Sequence, residues 1–373
     1  MSLNLPSDGV IEHLYVHIPF CPKICPYCSF YKEASDRNKV QGFLDALLIE
    51  LDRFGPDRLS VQTIFFGGGT PSALSPSQLD FLLTGLRSRL DLANLTEWTL
   101  EMNPATVSAE KASLLLSLGV NRISMGVQSW DSEILQRLGR VHSAVQARRS
   151  YDILRAAGFE NVNLDLIFGV PGQSRQQWME TLRATAALGP DHISAYCLTY
   201  EEDTEFFRRF QTGEFRQNSN RDAEFFAMTM DFLNEHGFEQ YEISNYAQPG
   251  RECLHNLAYW HGKDYLGLGP SAFSTIRKQR WQNIADTQSY IARTALRDST
   301  RTFEEDLEDA TRESERIIFG LRTNHGVLRS KIIQQKSELD DLEKAGYLET
   351  AGDYVRLTRT GRLVADEIGA LFV

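Results

Sequence analysis

Short apolar runs recur along the chain with amphipathic stretches between them. Residues 13–18, 61–66, 97–102, 122–127, 161–168 and 192–198 read as strands, and 240–244 as a weaker one. The stretches between them carry apolar residues at helical spacing. Residues 40–54 form one such pattern, and Ser75-Pro76 reads as the N-cap and first turn of a helix over 78–90. Ser108, with Lys111 three positions on, opens the next helix towards Leu118, and 144–157 and 174–188 complete the series. Gly119, Gly158 and Gly189 stand where these helices should end. Strand and helix in alternation is the pattern of βα units around a parallel sheet, so the fold class is α/β, a partial TIM-like (β/α)6 barrel.

The pattern changes after about residue 271. Helical periodicity over 287–297, 311–322 and 330–345 leads into a hairpin over 346–358, turning at Ala351-Gly352-Asp353, with a last helix from Thr360. This order resembles a winged-helix unit, which predicts a barrel over 1–280 and a smaller, mainly helical C-terminal domain over 281–373. Many such units bind DNA. Glu304, Glu305, Asp306, Glu308 and Asp309 make this one acidic, which points instead to a protein-facing or cofactor-covering lid. The whole chain of 373 residues has a formal net charge of -11, which disfavours a general nucleic-acid binder. Met1 to Ile11 lacks a basic start followed by an apolar run, and no stretch approaches the roughly 20 apolar residues of a membrane helix. A soluble, cytoplasmic protein is the expectation.

The chemistry-bearing residues fall at the carboxyl ends of the predicted strands, where parallel barrels place their sites. The first strand leads into Cys21, Cys25 and Cys28, and the second into Gly67-Gly68-Gly69-Thr70-Pro71. The third ends at Glu101, the fourth at Gln128, the fifth carries Asp165, and the sixth precedes Thr199. Three thiols within eight residues, with Cys197 and Cys253 far away in the chain, suit a [4Fe-4S] cluster with one iron left open. A zinc knuckle or a chance grouping is the blander alternative. A glycine triplet is usually only a tight turn, although bare backbone at a strand end also lets a ligand approach closely.

The C-x3-C-x2-C spacing, with Tyr27 before its last cysteine, resembles the signature of the radical S-adenosylmethionine (SAM) superfamily. That resemblance implies a [4Fe-4S] cluster whose open iron is chelated by SAM, which an electron from the cluster cleaves to a 5′-deoxyadenosyl radical. YVHIPFC, FFGGGTPS, EMNP, NRISMGVQS, LGRVHS, NLDLIFGVPGQ and YEISNYA extend the likeness over nearly the whole chain, to the oxygen-independent coproporphyrinogen III oxidase family. The likeness implies a radical SAM barrel, cluster ligation by Cys21, Cys25 and Cys28, and SAM contacts from Tyr15, Tyr27, Gly68, Gly69, Thr70, Glu101, Gln128, Arg140, Asp165 and Thr199.

Two departures bear on function. The oxidase has a further cysteine two residues after the third, where this chain has Phe30, and it carries an N-terminal extension, whereas fourteen residues precede Tyr15 here. In their place His255-Asn256-Leu257-Ala258-Tyr259-Trp260 resembles the His-Asn-x-x-Tyr-Trp segment of the family's haem chaperone branch. The resemblance implies haem as cargo, with His255, Tyr259 and Trp260 as its contacts. Residue types alone favour core packing by Tyr259 and Trp260 around a hydrogen-bonded His255. The leading expectation is a haem chaperone that uses [4Fe-4S] and SAM and passes haem to respiratory haem proteins. It would need client proteins, some of them membrane-associated, and an electron donor, and a homodimer is common in such proteins. The rivals are a coproporphyrinogen III dehydrogenase and a radical SAM methyltransferase or cyclopropanase.

Overall fold

The computed structural model describes residues 10–55, 59–332 and 336–372. Six parallel strands, β1 (Ile11–Ile18), β2 (Leu59–Gly68), β3 (Glu97–Met102), β4 (Arg122–Gln128), β5 (Val162–Phe168) and β6 (His192–Cys197), pair in chain order. Helices α1 (Arg37–Asp52), α2 (Pro76–Arg87), α3 (Ala109–Ser117), α4 (Ser132–Arg137), α5 (Ala144–Ala157) and α6 (Arg175–Ala186) run between them. The partial barrel expected from the alternation is therefore present. Ser75, Ser143 and Ser174 each close a capping box, with Gln78, Gln146 and Gln177, and Pro76 occupies the first turn of α2. Each such cap is worth about 1 kcal/mol and sets where its helix begins.

The sheet stays open. Two short strands, β7 (Glu239–Gln240) and β8 (Asn245–Ala247), extend it beyond β6, with β8 antiparallel to β6, while β9 (Leu266–Leu268) adds in parallel outside β1. The strand expected over 240–244 is thus replaced by two strands around a turn. The reason is Glu242, which is buried within that turn and accepts the Ser244 N–H at 3.0 Å.

Alternation along the strands sorts side chains by polarity, in the opposite sense to an ordinary barrel. Leu14, Val16, Ile64, Phe66, Trp98, Leu100, Ile123, Met125, Val162, Leu164 and Ile193 are fully buried in the main apolar core. The intervening positions carry His13, Tyr15, His17, Thr63, Glu97, Glu101, Arg122, Ser124, Asn163, Asp165, His192 and Ser194, and these meet one another within the lumen. Helices α7 (Glu205–Gln211), α8 (Ser219–Glu235) and α9 (Leu254–Trp260) follow the sixth strand. The sequence pattern did not resolve these three.

The boundary expected at 280/281 cuts a strand. β10 (Phe273–Ile276), β11 (Gln279–Asn283) and β12 (Arg301–Asp306) form an antiparallel sheet, and Trp281 and Tyr290, the latter on α10 (Thr287–Ala295), belong to the barrel's own core. A separate small core starts with Ile317 on α11 (Asp309–Leu321) and includes Ile332, Leu339, Val355, Leu357 and Phe372. Around it stand β13 (Val327–Leu328), α12 (Lys336–Lys344), β14 (Leu348–Ala351) and β15 (Tyr354–Leu357), with the hairpin turning where Gly352 and Asp353 predict it. Glu304, Glu305 and Asp306 lie on the outer strand of the 273–306 sheet, where charge discourages edge pairing, and do not line the cavity described below. Among the described residues no helix is long and apolar enough to cross a membrane.

One buried carboxylate ties the two ends of the barrel segment together. Glu50 on α1 accepts from Gly269 N (2.9 Å), Tyr290 Oη (2.5 Å), Asn283 Nδ2 (2.8 Å) and Thr300 Oγ1 (3.3 Å). Glu50→Ala strands the Gly269 amide and the Tyr290 hydroxyl without an acceptor, while Thr300 and Asn283 keep Asn283 Oδ1 and Gly269 O, so the unfolding free energy should fall by about 3 kcal/mol, read as a lower urea midpoint.

Candidate cofactor site at the strand ends

The cysteine loop leaves β1 through Pro19 and is pinned at its first thiol. Phe20–Cys21 pairs in parallel with Glu33–Ala34, so the loop returns to where it began. Within it, Cys28 N donates to Cys25 O at 3.3 Å, and the Lys32 ammonium donates to the Cys28 carbonyl. Cys21 is buried with its Sγ 3.5 Å from Thr70 Oγ1, and Arg140 Nη1 stands 3.5 Å from Cys25 Sγ while Nη2 holds Gly126 O at 2.7 Å. Burial pushes the Cys21 and Cys28 thiols up, so metal binding there must expel protons. Among the described residues no three His, Cys, Asp or Glu side chains converge on a single ion. A cubane instead takes each thiolate on a different iron, and three thiols on one loop with a guanidinium at the second suit that donor set.

The glycine run is a matter of close approach. A Cβ on Gly69 would lie 2.6 Å from Pro19 O, and one on Gly68, whose φ is 104°, would lie 2.6 Å from the His17 ring. Gly69 N and Thr70 N donate to Ile18 O (2.8 Å) and Phe20 O (2.9 Å), which zips this loop to the chain just ahead of Cys21. The bare backbone that results borders a cavity of about 480 Å3.

Tyr27, Cys28, Gly68, Gly69, Thr70, Glu101, Gln128, Arg140, Asp165 and Thr199 all line that cavity. Gln128 reaches it in a left-handed conformation, φ 67°, uncommon for a residue with a Cβ and a form of strain that collects at functional sites. Burial, reinforced by the facing Asp165 carboxylate, raises the Glu101 carboxyl to about 8, against a hydrogen bond from the Gly68 amide. Asp165 is also raised by burial, opposed by donors on Asn163, Ser194 and Ser124. Two acids with raised affinity for protons beside bare backbone form a site that gains from an incoming cation, such as an ammonium or sulfonium.

Other expected residues lie elsewhere. Tyr15 sits below the cavity, its hydroxyl 3.0 Å from His17 Nδ1 and its ring stacked on Phe65. His255, only 1% exposed, lies deeper still, with Nδ1 2.8 Å from Thr63 Oγ1 and Nε2 2.9 Å from Tyr259 Oη. Burial lowers its pKa to about 3. Both ring nitrogens are engaged, so an iron ligated by His255 would have to displace Thr63 or Tyr259. Trp260 packs against Phe319 and beneath Arg322 of the C-terminal unit. The cavity wall also contains Ser124, Tyr196 and Cys197, and its rim contains Phe30, 66% exposed. Ser124 stands four residues before Gln128 and Tyr196 three before Thr199, on strands that the sequence pattern already outlined.

A parallel half-barrel with a three-cysteine loop after its first strand and a glycine loop after its second defines a radical SAM protein, and the profile of the Radical SAM superfamily matches residues 15–185. Curated relatives span the chain. The protein named "Heme chaperone HemW" from Bacillus subtilis is 35% identical over 97% of this chain and 99% of its own, and that of Escherichia coli is 35% identical over 96% and 97%. The chain belongs to the HemW family. Among solved structures, coproporphyrinogen III oxidase (HemN) from Escherichia coli, described as a radical SAM enzyme, superposes with a TM-score of 0.85 at 26% identity, covering 98% of this chain and 90% of that one.

The raised Glu101 carboxyl has a consequence for stability. Between the unfolded value of about 4.3 and about 8 the folded state holds a proton that the unfolded chain has lost, so this group makes stability fall as pH rises through that window. In cofactor-free protein the urea midpoint should drop between about pH 5.5 and about pH 8.5, and Glu101→Gln should flatten that drop.

Proposed function

We propose that this protein is a haem chaperone that holds a [4Fe-4S] cluster and SAM at the strand ends of its barrel and delivers haem to haem-requiring proteins. The observation that carries this reading is full-length kinship with proteins named haem chaperones, together with a cysteine loop that ends in an exposed Phe30 instead of a further thiol. Cys21, Cys25 and Cys28 would hold the cluster, with Thr70 and Arg140 orienting the first two thiols. Glu101, Asp165 and the Gly68-Gly69 backbone would take the cationic and amino acid portions of SAM. When bound, that pair of cofactors supplies one-electron cleavage of a sulfonium. The chain's own part is to exclude water from the cavity base and to fix the carboxylates. Haem is cargo, and its clients and the electron donor are partner proteins outside the chain.

A coproporphyrinogen III dehydrogenase is the second reading, favoured by the TM-score of 0.85 to the Escherichia coli oxidase. Anaerobic titration of cluster-reconstituted protein with haem separates the two. The chaperone reading expects a saturable Soret shift near one haem per chain and no decarboxylation of coproporphyrinogen III. Turnover without haem binding would establish the dehydrogenase instead. Cys28→Ser should abolish the cluster's visible absorbance in the same preparation.

A further inference from the structure

A file of hydrogen bonds crosses the lumen from the helix bearing the His-Asn-x-x-Tyr-Trp segment to the cavity. The N–H of Cys253, the N-cap of α9, donates to Tyr241 Oη at 3.2 Å. Tyr241 Oη lies 2.8 Å from His192 Nε2, and His192 Nδ1 lies 2.7 Å from Asn163 Oδ1. Asn163 Nδ2 donates to Asp165 Oδ1 at 2.7 Å and to Ser124 Oγ at 2.7 Å. Asp165 lines the cavity.

Chemistry gives this file one direction. Asn163 Nδ2 donates only, so its Oδ1 is the acceptor for His192 Nδ1–H and for Ser194 Oγ at 3.2 Å. Nε2 of His192 must then accept the Tyr241 hydroxyl proton, which leaves the Tyr241 oxygen to accept from Cys253 N–H. Every proton in the file is aimed towards the Asp165 carboxylate. His192 is fully buried and neutral, because burial and the nearby Arg122 charge drive its pKa well below the usual histidine value. The helix is clamped independently by Glu97, whose carboxylate accepts Leu254 N (2.9 Å) and His255 N (3.1 Å) with Arg122 4.0 Å away. Burying so many polar groups carries a desolvation cost that apolar packing of the same volume would avoid. The file ends on a carboxylate that faces the ligand space, which gives that cost a use.

We propose that Tyr241, His192 and Asn163 are positioning residues for Asp165, and that α9 sets their geometry, so that a cationic ligand on Asp165 is felt at the His-Asn-x-x-Tyr-Trp helix. The coupling is reciprocal: whatever shifts α9 shifts the cavity, and Trp260, held by Phe319 and Arg322, brings the C-terminal unit into contact with the same helix. This rests on the reading that the cavity takes SAM.

Hydrogen-exchange mass spectrometry on the full-length, cluster-reconstituted protein with and without SAM tests it. In the unmodified protein SAM should slow exchange both in the glycine loop, 67–70, and at the start of α9, 253–257. Tyr241→Phe and His192→Phe should keep the first response, lose the second, and bind SAM up to about tenfold more weakly, the upper end of what one neutral hydrogen bond contributes. His192→Gln, which can still donate to Asn163 and accept from Tyr241, should restore both. Protection of the glycine loop alone in the unmodified protein, or an undiminished α9 response in both broken-file variants, overturns the coupling and leaves the functional reading standing. No protection in either segment shows that the cavity does not take SAM and removes both. A variant that merely misfolds is recognised by fast exchange everywhere before SAM is added, and the glutamine variant then decides.

Discussion

The constraint on which this structure depends is the reversal of polarity across the barrel wall. Apolar side chains on the outer faces of the six strands pack against the helices and supply the burial that holds the shell, at roughly 25 cal/mol for each Å2 of apolar surface removed from water. The inner faces are then free to carry histidines, acids, an arginine and hydroxyls. Below the cavity most of those groups are out of reach of bulk water and bond to one another, so the lumen holds hydrogen-bonded files where an ordinary barrel has packed Val, Ile and Leu layers. A lumen filled with aliphatic layers would leave no polar base beneath the cavity and no route from the floor helix to its wall.

At the top of that lumen two loops depend on each other. The cysteine loop is held by Thr70 and Arg140, and the glycine loop exists in its form because Gly69 lies against Pro19 immediately before the cysteines. A side chain at Gly69 would push the glycine loop away from the chain just ahead of the cysteines. The glycines that read as an ordinary tight turn are therefore also the contact surface between two halves of one site. The rise of Glu101 to about 8 comes from the same confinement: a carboxyl buried beside Asp165 favours its neutral form.

The segment His255 to Trp260 shows how residue type and position part company. A histidine beside a tyrosine and a tryptophan suggests a macrocycle ligand, and the family likeness points the same way. In the folded chain His255 bridges Thr63 and Tyr259 inside the barrel floor, and Trp260 faces the C-terminal unit. The motif is divided between the lumen and the junction of the two apolar cores, and its helix is held at its start by Glu97 from a strand more than 150 residues earlier. No spacing rule within the segment could have shown that Glu97 contact.

Local information in the chain was enough for the six strands, the caps at Ser75 and Ser108, the C-terminal hairpin and the grouping of Glu101, Gln128, Asp165 and the glycine loop on one rim, because period-two alternation, capping chemistry and the strand-end rule act over a few residues at a time. The family was legible too, since its motifs are contiguous. What only the tertiary structure decided depends on long-range packing. Tyr241 to Ser244 turn inward because Glu242 is buried there, Trp281 and Tyr290 join the barrel core across the expected boundary, and Tyr241, His192, Asn163 and Asp165 meet because β5, β6 and the chain after α8 wrap one lumen. Polarity along a strand tells which residues share a face. Which of them touch is set by how the strands curve round on one another, and that is a property of the whole curved wall and not of any one segment.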